Sequence, residues 1–127
     1  MFDEEAPKVY GLDSINRKFP VYVVEGPFDS NFVSNSVALC GSDGDLKCLE
    51  TCDLIYVYDN EPRNKEIVRR IEGCIRNDKS VVIWPNNIKE KEINDMVLAG
   101  HDVMDVLKSS TYSGLEANLK FTTWKRI

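Results

Sequence analysis

Several acidic side chains in this sequence stand at, or just past, the ends of short apolar runs. Glu25 closes Val21-Tyr22-Val23-Val24, and Asp29 follows four positions later. Asp59 closes Leu54-Ile55-Tyr56-Val57-Tyr58, with Glu61 two positions on. Beyond Val81-Val82-Ile83-Trp84 and a loop come Glu92, Asn94 and Asp95. If the apolar runs are neighbouring parallel strands, these acids converge on one edge of a sheet. Clustered carboxylates repel one another, and a hard divalent cation is their natural compensation. Mg2+ prefers oxygen ligands and is commonly held by one or two carboxylates together with waters and substrate phosphates. Such a site polarises a phosphoryl oxygen and activates an attacking hydroxyl.

Each acidic group taken alone has a structural explanation. Asp59-Asn60-Glu61-Pro62 can be a turn with a helix cap, because Asp and Asn satisfy free backbone N–H groups. Glu25-Gly26-Pro27 can be a plain turn. Lys89-Glu90-Lys91-Glu92 has the composition of a solvated charge run. Their common register with the strands is what favours a site.

The elements that must position these residues can be read from spacing. Val21 to Val24, Ser36 to Cys40, Leu54 to Tyr58 and Val81 to Trp84 are continuous apolar runs of strand length, each stopped by Gly, Pro, Asp or Asn. Between the last two, Ile67, Val68, Ile71 and Ile75 recur at helical spacing with charges opposite, which predicts a helix over 64–75. Further helical pieces are expected over 28–33, 45–51, 93–99 and 102–107, the last two separated by Gly100. Val9 to Leu12 can pair weakly with another segment. From Ser109 onward the pattern is less regular; Leu119, Phe121 and Thr123 alternate as in a strand, or the segment packs across the sheet. Buried-type strands alternating with helices predict an α/β fold: a mostly parallel four-stranded sheet with helices on both faces. Functional groups in such sheets collect beyond the carboxyl ends of the strands. Residues 1–19 read as a lead-in segment and residues 20–127 as one domain with a carboxyl-terminal extension.

Composition narrows the function classes. The 127 residues suit one core, and 43% hydrophobic with 29% charged residues is ordinary globular composition. No apolar run approaches the roughly 18 residues of a membrane span. The opening MFDEEAPK is acidic and polar, unlike a secretory or transit peptide, so a cytoplasmic protein is expected. The net charge of −5 argues against a large basic groove of its own, since phosphate contacts dominate nucleic-acid affinity. Metal ions or a basic partner could still bring it to nucleic acid. Cys40, Cys48, Cys52 and Cys74 lack the paired spacing of a zinc site, and with a single histidine, His101, free and mostly buried thiols are expected instead. Gly41-Ser42-Asp43-Gly44 lacks the Gly-Lys-Ser/Thr ending of a P-loop, which excludes a P-loop ATPase. His101 beside Gly100 reads as a loop residue or helix cap, and Trp84 as core.

The stretches VYVVEGPFDS, ALCGSDGD and LIYVYDNEP, with KEIND downstream, resemble the Toprim domain, the catalytic module shared by bacterial-type primases and topoisomerases. Glu25, Gly26 and Asp29 match the first motif, and Asp59 matches the first acid of the second. Glu61 departs from the usual Asp while keeping a carboxylate on a longer stem. Glu92, within Lys91-Glu92-Ile93-Asn94-Asp95, matches a further acidic position of phage primases, again with Glu for Asp. VYGLDSINRKFPVYVVEGPFDSNFVSNSVAL, YDNEPRNKEIV and GLEANLKFTTWK resemble the carboxyl-terminal part of DNA primases from large tailed bacteriophages, over roughly residues 6–126. A complete primase of that type would also carry a zinc-binding domain and a basic amino-terminal part. The resemblance thus implies a piece of a primase, a split-gene subunit or a stand-alone Toprim protein.

What the resemblance implies is nucleotidyl transfer: synthesis of RNA primers on single-stranded DNA from ribonucleotides. Glu25 would be the catalytic carboxylate nearest the attacking hydroxyl, and Asp59 and Glu61 would hold Mg2+, or Mn2+ in its place. Asp29 and Glu92 would be outer or second-metal ligands. Lys89, Lys91 and Arg63 could steady phosphates at the rim, with surface solvation as their other use. Expected partners are a basic amino-terminal primase half and a replicative helicase, in the host cytoplasm if the protein is phage-encoded. Two alternatives stand beside this reading. One is a metal-dependent nuclease using the same carboxylates. The other is a non-catalytic replication interaction module, with Tyr112 and Trp124 as surface candidates unless they plug the core.

Overall fold

A computed structural model of the chain describes residues 9–10, 15–16, 18–25, 32–39 and 53–126. Six strands form one sheet in the order β1-β3-β2-β4-β5-β6: β1 Val9–Tyr10, β2 Val21–Val24, β3 Ser36–Leu39, β4 Leu54–Tyr56, β5 Ser80–Val82 and β6 Thr111–Tyr112. The four inner strands are parallel, and the short β1 and β6 close the two edges antiparallel. The expected α/β class with a mostly parallel sheet is therefore the observed one. Its four expected strands are the inner four, and the two additional strands are two-residue edges too short to show a sequence period.

β2 lies in the interior of the sheet, and all four of its residues are buried. A strand covered on both faces has no polar face to alternate with, which is why VYVV is continuously apolar. Its register places Val23 beside Tyr56 of β4 and Val24 beside Ala38 of β3. The Val57 amide donates to the Val23 carbonyl at 2.8 Å, carrying the pairing past the end of β4.

Helix α1, Lys65–Arg76, buries Ile67, Val68, Ile71 and Cys74. Asn64 caps it, its side-chain oxygen accepting from the Glu66 and Ile67 amides at 3.0 and 3.3 Å. The short helices α2, Ile93–Leu98, and α3, Val103–Ser109, are separated by Gly100, whose φ of +93° is easy only without a Cβ.

In the carboxyl-terminal segment the strand alternative is corrected, and the segment packs on the sheet as a helix. Residues Gly114–Trp124 form helix α4, which packs on α1 and β5. Its buried residues, Ala117, Phe121 and Trp124, are spaced four and three apart, the interval of one helix face. The strand-like alternation rested on Leu119 and Thr123, both exposed on the opposite side. Thr122 and Thr123 bond back to the Asn118 and Leu119 carbonyls, which satisfies their hydroxyls inside the helix. Trp124 is accordingly core, not an exposed aromatic; Tyr112 is half-buried.

Asp29, Cys40, Cys48, Cys52, the turn at 41–44 and the helix expected over 45–51 lie outside the described residues, as does most of 28–33. Among the described residues, no helix is long and apolar enough to cross a membrane.

Candidate functional site

From β2 the chain passes to β3 on one side, then returns to β4 on the other side of β2. The order of connection therefore reverses between β2 and β4. A crevice outside the carboxyl ends of two such strands is where open α/β sheets bind ligands. Glu25 directly follows β2, and Asp59 follows β4 by three positions.

The two meet there. The Asp59 amide donates to Glu25 Oε1 at 3.2 Å, so the second acid's backbone fixes the first acid's side chain. The other oxygen, Oε2, lies 3.9 Å from the Arg70 guanidinium of α1, which also bonds Glu66 Oε1 at 3.2 Å through Nε. The Glu25 and Arg70 side chains are each about a third exposed, so the pair is open to a ligand. Arg70 was not among the candidates, although its position four residues after Glu66 is the helical ion-pair interval.

Asp59-Asn60-Glu61 is a tight turn: the Glu61 amide donates to the Asp59 carbonyl at 2.8 Å, and the Asn64 amide to the Glu61 carbonyl at 3.0 Å. Of the two local explanations for this segment, turn and cap, the turn is present, while Asn64 does the capping. Asn60 ties the turn to two distant parts of the chain. Its amide nitrogen donates to the carbonyls of Ile88 and Glu90, both at 3.0 Å, and its side-chain oxygen accepts from the Trp124 indole at 3.0 Å. Its backbone N–H donates to the Lys91 carbonyl at 2.8 Å. Trp84, past the end of β5, donates its indole N–H to the Tyr58 carbonyl at 2.8 Å, fixing the residue just before Asp59. No local pattern announces these roles, because the partners are backbone carbonyls and a residue 64 positions away.

The Asn60 bonds draw the loop at 85–92 against the turn and bring Lys91 to Glu61. Lys91 Nζ lies 3.2 Å from Glu61 Oε1, and Asn64 Nδ2 lies 3.5 Å from Oε2. The bond to Glu61 and its charge hold the Lys91 ammonium above the ordinary lysine range, and the charges of Glu92 and Asp59 add to them. Three of the predicted acids thus act on one ammonium. Glu92 itself is exposed at the start of α2 and makes no side-chain capping bond there. Glu90 accepts from or shares a proton with His101 Nε2 at 2.7 Å, which pulls its carboxyl below the ordinary range. His101 is therefore a partner of the loop, in addition to being a loop residue.

The remaining basic candidates are peripheral. Lys89 is exposed, and Arg63 is exposed in a shallow depression lined with Glu61, Pro62 and Asn64. Among the described residues, no three His, Cys, Asp or Glu side chains form a group placed to hold a metal ion. The acids at and just past the ends of β2 and β4, Glu25, Asp59 and Glu61, offer only hard carboxylate oxygens. That chemistry suits Mg2+, which takes one or two carboxylates and keeps waters in its other positions.

No family model matches the chain. The DNA primase of Enterobacteria phage T4 is 31% identical to it over 129 aligned positions, covering 97% of this chain and 37% of that primase. The chain thus spans a little over a third of the length of the relative it matches.

Proposed function

We propose that the chain is the Toprim module of a DNA primase, and that its acidic edge performs metal-dependent nucleotidyl transfer, making RNA primers on single-stranded DNA during phage DNA replication. One observation carries this reading: Glu25 and Asp59 meet at the switch point of the sheet. The similarity to part of a DNA primase supports it.

In this reading Glu25 takes the proton of the attacking 3′ hydroxyl. One of its oxygens is anchored by the Asp59 amide and the other faces Arg70, so the carboxylate is oriented before substrate arrives. Asp59 and Glu61 would hold Mg2+, or Mn2+, with Asp29 and Glu92 as outer ligands. When bound, the ion supplies the positive charge that lets an acidic edge accept a polyanionic nucleotide. Lys89 and Arg63 meet phosphates at the rim. A basic amino-terminal primase half would grip the template, which suits the net charge of −5, and a replicative helicase would be the neighbour in the host cytoplasm.

A single gel assay tests the reading. Labelled ribonucleotides and single-stranded DNA are incubated with Mg2+ or Mn2+ and the chain, with and without a basic amino-terminal primase half. Incorporation that disappears in Glu25→Gln and Asp59→Asn supports nucleotidyl transfer. Cleavage of the template instead would make the protein a nuclease. Neither product under either condition would leave an interaction module.

A further inference from the structure

Both oxygens of the Glu61 carboxylate already face donors: Lys91 Nζ at 3.2 Å and Asn64 Nδ2 at 3.5 Å. The two donors are held differently. Asn64 is fixed as the cap of α1, whereas only the backbone of Lys91 is fastened, through its carbonyl to Asn60. The Lys91 side chain is 55% exposed and that of Glu61 23%, so the ammonium can leave without disturbing anything buried. A divalent cation seeking Glu61 meets a positive charge already in place, and two cations cannot share one carboxylate oxygen without strong repulsion.

We propose that Lys91 is the resident counter-ion of the acidic edge, neutralising Glu61 until a divalent cation displaces its ammonium. The inference rests on the metal-binding role proposed above and adds to it a built-in competitor. It predicts that the lysine weakens metal affinity.

The test is calorimetric titration of the full chain with Mn2+ and Mg2+. Lys91→Met should tighten binding about two- to fivefold, the scale of a partly exposed ion pair. Lys91→Arg keeps the charge and should stay within about twofold of wild type. Lys89→Met, which removes an exposed charge two positions away, should do likewise. In a Glu61→Gln background, Lys91→Met should lose most of its effect. A second readout needs no substitution: with isotope-labelled lysine side chains, the Lys91 Nζ resonance should shift on adding Mg2+ while that of Lys89 stays.

Wild-type binding with no gain in Lys91→Met, or an equal gain in Lys89→Met, overturns the exchange alone and leaves the metal reading standing. So does a Lys91 resonance that stays still while Mg2+ binds. Absence of binding in both wild type and Lys91→Met, with and without nucleotide, overturns the metal reading and the exchange together.

Discussion

The acidic edge has two sides, built on different principles. On the β2–β4 side, Glu25 and Asp59 leave the ends of two neighbouring parallel strands, and a hydrogen bond from one's backbone to the other's side chain locks them. Their placement follows from the sheet itself. On the other side, Glu61, Lys91 and Glu92 sit on loops tied together mainly by Asn60, through its side chain and its backbone N–H. The first side is a product of topology and tolerates local change. The second is a product of a few polar bonds, where one substitution reaches everything.

The sharpest way to break this contrast is Asn60→Leu. It strands two loop carbonyls and the Trp124 indole, each half-buried bond being worth about 1 kcal/mol. Urea unfolding should show a loss of about 3 kcal/mol, and a loss under about 1 would mean that the loop is held by other contacts. On the sheet side, Trp84→Phe removes the donor to Tyr58 together with part of a buried indole, so about 2–3 kcal/mol is expected from the same measurement. If Trp84→Phe costs more than Asn60→Leu, the two sides are not built as described.

The pH dependence separates them further. Glu90 has a depressed carboxyl pKa in the folded chain, because His101 bonds to it. Its contribution to stability is therefore present above the ordinary carboxyl value and lost as pH falls through the lower, folded value. Acid titration of stability should show a steeper decline for wild type than for Glu90→Gln, and identical profiles would dismiss the pair. The smallest effect belongs to Arg70→Met. Its pair with Glu25 is about a third exposed at 3.9 Å, so stability should change by less than about 0.5 kcal/mol. Nucleotide incorporation should nevertheless fall, since the carboxylate loses one of its two orienting groups.

Much of this architecture is legible in the sequence. The inner strands were readable because burial on both faces makes a strand continuously apolar, as in Val21 to Val24. Helix α1 was readable because Ile67, Val68 and Ile71 mark one face and Asn64 caps the start. Helix α4 was not: its buried face is only Ala117, Phe121 and Trp124, while Leu115 and Leu119 are 75% and 61% exposed and blur the period. In the site, the meeting of Glu25 with Asp59 could be inferred from strand ends alone. The parts played by Asn60, Arg70 and Trp84 could not, because a hydrogen bond to a distant carbonyl leaves no trace in local residue pattern.

The bond between Asn60 and Trp124 also has a consequence in time. The two residues are 64 positions apart, and the bond holding the acidic turn to α4 cannot form until the later one exists. At ribosomal speeds of about 5–20 residues per second, the turn waits roughly 3–13 seconds for its partner. The inner strands can pair during that interval, but the acidic turn acquires its final shape only once α4 has been made.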